Sequence, residues 1–524
     1  MGKRLKEYGK VPMCESVDKG QEGLKNQIDW MVTLVPVLVI SIVVFLFVLV
    51  PDQSKAMLDR ARAVLNNKCG LYYSVLGTGI LICSIYIALS KYGKIVLGEA
   101  GQPEYSSFQW GTMIFTSTMA ADILFYSLCE WALYAEEPYI KEMGVQKWAS
   151  TYPLFHWGPI AWGFYIILAV AFGFMLHIRK REQQKFSEAC YPILGRKING
   201  WIGKIIDLIA VFALLAGTAT TFSLATPLLS SAFQHVFGVG KGKNWVILWL
   251  LLIMVIYTVT VWFGMKGIAR LAKVCVCLFV CLLLYVFVAG REAVYILETG
   301  YSAIGNLLQN FIGMSTWMDP LRDTSFPQNW TIYYWSYWMV WCVATPFFIG
   351  SISKGRTVRN VILGGYGWGM AGTFTSFIVL GNYGLAQQMK HGVDISGYIV
   401  GGGSIHEAII RIFDTLPFPR IGLILLVVSM LAFYATTFDA LTMVVSSYSY
   451  KRLETGKEPN RRIRIFWAVM LIVFPIALIF AENSVMQLQS ISLIAALPIG
   501  TVILLIIVSF FKDAGDYLKG GKKE

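Results

Sequence analysis

Apolar runs recur twelve times along the chain, near 31–50, 72–90, 108–134, 151–176, 201–236, 244–264, 268–289, 330–350, 359–384, 419–447, 463–481 and 487–511. Each is long enough to cross a hydrocarbon core as a helix, which takes about 20 residues. Lipid offers the backbone no hydrogen-bond partner, so such runs must be helical. The short alternating strands of a β-barrel are absent from the pattern. The expected fold is an all-α membrane protein of twelve transmembrane helices. A cytoplasmic segment (1–30) precedes the membrane domain (31–511), and a short basic tail (512–524), expected to be disordered, follows it. Two polar connections are long. Glu292–Met314 has the spacing of an amphipathic helix lying at a surface. A Gly-Gly-Gly stretch at 401–403 leads into a short helix, Ser404–Leu416.

Charge gives the chain an orientation. Only 14% of residues are charged, where a soluble chain carries about a quarter. With twelve crossings both ends share one side. The segments on that side collect 29 Lys/Arg and those on the other side 12, so the termini are expected in the cytoplasm. The net charge of +13 is then a topology signal and implies no nucleic-acid partner. Thirty mostly polar residues precede the first run, unlike a cleaved signal. Nine cysteines form no CxxC pair and five histidines lack ligand spacing, so neither a disulfide framework, a metal nor another cofactor is expected. Without clustered His, Asp or Cys the chain does not read as an enzyme. Without a signalling domain it reads poorly as a receptor.

Chemistry concentrates in the third and eighth runs, five apart. The eighth reads Asn329–Arg359, N-W-T-I-Y-Y-W-S-Y-W-M-V-W-C-V-A-T-P-F-F-I-G-S-I-S-K-G-R-T-V-R, with four tryptophans between Trp330 and Trp341. Helical spacing puts Trp330, Tyr334, Tyr337 and Trp341 on one face and Trp338, Trp341 and Thr345 on the next. Thr345-Pro346 should interrupt the helix. The fourth run holds Trp157, Trp162 and Tyr165 around Pro159. Such rings are ordinary core, or they converge as a cage. A quaternary ammonium has no N–H to donate, and ring faces hold it at about 0.5–2 kcal/mol each. The third run places Asp122 in mid-span after Thr116-Ser-Thr-Met-Ala-Ala, where a carboxylate is costly and a functional candidate by default. The tenth carries Phe433, Thr436 and Thr437, and the fifth Thr218, Thr220, Thr221 and Ser223. Their hydroxyls suit a bare cation or bond back to their own helices. Interrupted helices at matching places in two five-helix units of opposite sense mark a transporter's binding site.

Trp330, Thr331, Tyr334, Trp335, Trp338, Ile352, Ser353, Gly355, Arg356, Thr357 and Arg359 resemble the signature of the betaine/carnitine/choline transporter family, and the likeness runs over nearly the whole chain. The resemblance implies a LeuT-like fold of two inverted five-helix repeats, spans 3–7 and 8–12, and often a homotrimer. It implies alternating-access transport of a trimethylammonium solute such as glycine betaine, carnitine or choline. Its aromatic box maps onto Trp157, Trp162, Tyr165 and Trp338, with Trp341 on the inward path. Tyr337 stands where the family usually has tryptophan. Asp122 matches the aspartate of proton-coupled members, and Phe433, Thr436 and Thr437 match a sodium site. The coupling ion is thus proton or sodium. The alternative is ion-independent carnitine/butyrobetaine exchange, whose arginine and methionine are replaced here by Ala269 and Thr345. The basic run Lys354, Arg356 and Arg359 is expected at the cytoplasmic gate, pairing with acids such as Glu454 or Glu458.

Overall fold

The computed structural model describes residues 27–99, 102–117, 120–181, 183–240, 242–262, 265–453, 458–480 and 485–520, with the backbone alone of 260–262 and 265–270. Thr118, Met119 and Glu454 lie outside these residues. Among the described residues the chain is helical, apart from two isolated bridges, Ile28 to Tyr450 and Val96 to Thr357. The helices that build the site are numbered in chain order: α1 Ser107–Thr116, α2 Ala121–Ala135, α3 Val145–His156, α4 Pro159–His177, α5 Trp201–Phe237, α6 Met265–Ala289, α7 Ile332–Trp341, α8 Thr345–Ser351, α9 Val358–Ser376, α10 Pro419–Tyr448, α11 Arg461–Phe480 and α12 Val485–Gly520.

Among the described residues the twelve apolar runs are mainly helical, but fewer qualify alone as crossings. Eight described helices are long and apolar enough by length and composition, or nine if α1 and α2, bent by 67°, count as one span. Two of the other three have a physical reason. The sixth run is helical over Lys243–Trp262, and its side chains from 260 on lie outside the described ones. The eighth is broken between α7 and α8. The ninth, α9, carries Gly364, Gly365, Gly367, Gly369 and Gly372, which dilute its apolarity.

Those breaks follow local chemistry. The Cys342 N–H closes α7 onto the Trp338 carbonyl at 3.0 Å, and α8 then starts at Thr345 with Pro346 in its first turn. A first-turn proline needs no N–H, so Pro346 restarts the helix rather than kinking it. α3 stops at His156 and α4 restarts at Pro159. A Cβ at Gly158 would meet the Leu154 carbonyl oxygen at 2.3 Å, so only glycine permits this join.

Three outlying expectations have clear outcomes. The surface helix is present as Ala293–Thr316 and the short one as Ile405–Asp414, capped by Ser404. The tail is corrected: α12 continues to Gly520 instead of dissolving at 512. Arg179 pairs with Asp513 at 2.6 Å and Tyr517 packs on Phe174, so the extra turns have partners.

On the opposite side of the chain's connections, Glu292 bonds Lys390 at 2.6 Å and His391 at 2.8 Å. Burial alone raises its carboxyl, but these partners outweigh burial and hold it below the ordinary 4.5. A depressed carboxylate stabilises the fold above its unfolded-state value and loses that stabilisation as pH falls through the folded one. The melting-temperature gap between the unsubstituted protein and Glu292→Gln should therefore be present above the ordinary 4.5 and close as pH falls below it. A gap that stays constant counts against the role of these ion pairs.

Candidate functional site

Trp338 is the centre of the site. Its ring centroid lies 5.5 Å from Trp157, 5.7 Å from Trp162 and 4.9 Å from Tyr165. Trp157 stands in the α3–α4 join, Trp162 and Tyr165 on α4 and Trp338 on α7, so two interrupted spans supply all four. Three of the four rings are held from behind. Trp157 donates its Nε1–H to Glu130 at 2.8 Å, and its carbonyl accepts the Thr373 hydroxyl at 2.9 Å. Trp338 donates to the His156 carbonyl at 3.1 Å. Trp162 lies against Gly369 of α9, where a Cβ would come within 2.5 Å of its indole.

The four rings share one cavity of about 400 Å³. Its wall also includes Tyr337, Trp341, Thr345, Phe348, Thr436, Thr437 and Asp439. The small residues Ala272, Ala344 and Ala440 line it as well. Among the described residues its wall holds two carboxylates, Asp122 and Asp439, and no lysine or arginine.

Asp122 sits in the first turn of α2, where the helix dipole favours negative charge. It accepts the Ile123 N–H at 3.0 Å and the Tyr337 hydroxyl. The Tyr337 oxygen is also 2.6 Å from Thr221 Oγ1. The tyrosine in place of a tryptophan thus brings a hydroxyl that links α2, α7 and α5. Asp439, the other carboxylate of the wall, pairs with Arg464 at 2.6 Å, which also pairs with Glu458 at 2.9 Å.

Several expected residues fall elsewhere. Trp330 and Tyr334 do not share the cavity face with Tyr337 and Trp341. A π-turn at Pro327–Thr331 precedes α7, and these two rings reach Glu137 and Glu130. Phe433 is buried against Phe279 and is not in the wall. Thr436 lines the cavity, yet its hydroxyl bonds back to the Phe433 carbonyl at 2.9 Å. Thr116 and Ser117 bond back likewise. Of the acids expected to pair with the basic run, Glu458 pairs with Arg464 instead at 2.9 Å, and Glu454 lies outside the described residues. Arg356 is buried over Trp110 and bonds the Tyr105 carbonyl at 2.8 Å, while Arg359 bonds the Ala88 carbonyl at 2.7 Å. The Lys354 carbonyl accepts the Glu104 N–H at 3.3 Å. The basic run staples the segment before α1 to the start of α9. Glu130 and His156 have roles that ring spacing did not expose. A second carboxylate inside the third apolar run was the available signal.

A profile of the betaine/carnitine/choline family transporters matches residues 31–518. The chain belongs to this family. A probable glycine betaine transporter of Desulfitobacterium hafniense is 30% identical over 90% of this chain and 95% of its own length. The carnitine transporter of Acinetobacter baumannii is 28% identical, over 81% of this chain and 78% of its own. The glycine betaine transporter OpuD of Bacillus subtilis is 27% identical, over 89% and 90%. Like other betaine/carnitine/choline family members the chain is a transporter, and the four-ring cavity is its candidate binding site.

Proposed function

We propose that this transporter moves a quaternary-ammonium solute across the cell membrane by alternating access, coupled to protons. The supporting observation is the convergence of Trp157, Trp162, Tyr165 and Trp338 on one cavity whose described wall is acidic and free of bases. Four ring faces at about 0.5–2 kcal/mol each supply much of a millimolar-to-micromolar affinity, about 4–8 kcal/mol. The names of the relatives favour glycine betaine or carnitine as cargo.

Asp122 ties the cargo's charge to the proton. A zwitterion beside an ionised Asp122 leaves the buried site with net negative charge, which low dielectric penalises. With Asp122 protonated the loaded site is neutral. Choline, a plain cation, is instead balanced by the ionised form. Sodium coupling through Thr345, Thr436 and Thr437 is the second reading, favoured by their common place in the wall. Ion-independent exchange is the third. The reading carries with it twelve crossings in two inverted five-helix repeats, both termini in the cytoplasm, and a homotrimer.

The test is uptake of labelled glycine betaine, carnitine and choline into proteoliposomes under imposed proton or sodium gradients. Accumulation of at least one of them under a proton gradient supports the proposal. Transport of none, or accumulation driven by sodium alone, defeats it in whole or in its coupling.

A further inference from the structure

Glu130 lies two turns beyond Asp122 on α2 and is completely buried. It does not line the cavity. Its Oε1 accepts the Tyr134 hydroxyl at 2.6 Å, while Oε2 accepts the Trp157 indole at 2.8 Å and the Tyr334 hydroxyl at 2.6 Å. Tyr134 continues to His156 Nδ1 at 2.7 Å, and His156 Nε2 lies 3.1 Å from Thr331 Oγ1. The His156 ring stacks on Tyr334 at 4.6 Å, and its backbone carbonyl holds Trp338. One knot behind the cage therefore anchors the N–H edges of two of its four rings, on two different helices.

We infer that Glu130 is a positioning residue that turns the Trp157 face to the cavity and strengthens its grip on a cation. Three features of the chemistry support this. A hydrogen bond from an indole to a carboxylate is stronger than one to a neutral acceptor. Buried away from water, it is stronger still. An anionic acceptor on the N–H edge also pushes electron density into the ring's π system, whose faces attract a cation. Glu130 thus acts on the cargo through Trp157 without touching it. The inference rests on the quaternary-ammonium reading of the cage.

Binding of choline and of glycine betaine to the purified protein by titration calorimetry tests it. Choline binding is compared with that of 3,3-dimethylbutanol, its uncharged isostere. Glu130→Gln keeps shape but removes the charge, and Glu130→Asp keeps the charge but withdraws the acceptor by one methylene. Each should weaken binding of the quaternary ammonium about tenfold and leave the uncharged isostere within about twofold. In a Trp157→Phe background, which has no N–H to anchor, Glu130→Gln should change affinity less than about twofold. Equal weakening in both backgrounds overturns the inference, as does full affinity in Glu130→Gln. If Glu130→Gln does not fold, Glu130→Asp decides by the same criteria. Failure of the cage reading looks different: the unsubstituted protein then binds choline no better than its isostere, and Glu130 has nothing to position.

Discussion

Trp338→Leu is expected to lower quaternary-ammonium binding about 30- to 100-fold and abolish measurable uptake. This ring alone touches the other three, at 4.9–5.7 Å between centroids. Its loss removes a π face and opens a gap that lets the remaining rings relax away from the ammonium. Leucine retains apolar bulk, so the fold should survive at a cost of about 2–4 kcal/mol. The His156 carbonyl loses its indole partner in the exchange. The measurement pairs calorimetric binding with a thermal-unfolding scan in detergent. Full binding by a folded Trp338→Leu protein defeats the cage.

Asp122→Asn is expected to disconnect transport from the proton gradient while sparing binding. The amide is isosteric, and its oxygen can still accept from Tyr337, which keeps the link to Thr221. What disappears is the proton itself. One proton carried per solute against one pH unit stores about 1.4 kcal/mol. The unsubstituted carrier should therefore accumulate its solute about tenfold under that gradient, and Asp122→Asn should only equilibrate it. The readout is the internal-to-external ratio of labelled solute in proteoliposomes. Retained accumulation under the same gradient excludes Asp122 as the coupling group.

The cage was legible in the sequence because aromatic side chains at helical spacing in two membrane spans have few other uses that also require a broken helix. Asp122 was legible because a carboxylate in lipid is conspicuous. Glu130 satisfies the same rule, but its donors lie four, 27 and 204 positions away. No local pattern brings Tyr134, Trp157 and Tyr334 to one carboxylate. Periodicity also misplaced Trp330, since it assumes an unbroken 3.6-residue helix and a π-turn precedes α7, while Tyr334, inside α7, reaches Glu130 instead of the cavity. The basic run was read from its charge. Its structural work is done by guanidinium groups on backbone carbonyls and an indole, partners invisible in a charge map. The tail looked disordered because it is short, basic and glycine-containing. Its order comes from Arg179, more than 300 positions earlier in the chain.

The cavity of about 400 Å³ that the four rings share also borders Ala272, Ala344 and Ala440. On the quaternary-ammonium reading proposed above, side chains this small leave room beside the methylated head, so substituents distal to the nitrogen are expected to be tolerated. Uptake of a series of trimethylammonium compounds of increasing length checks this.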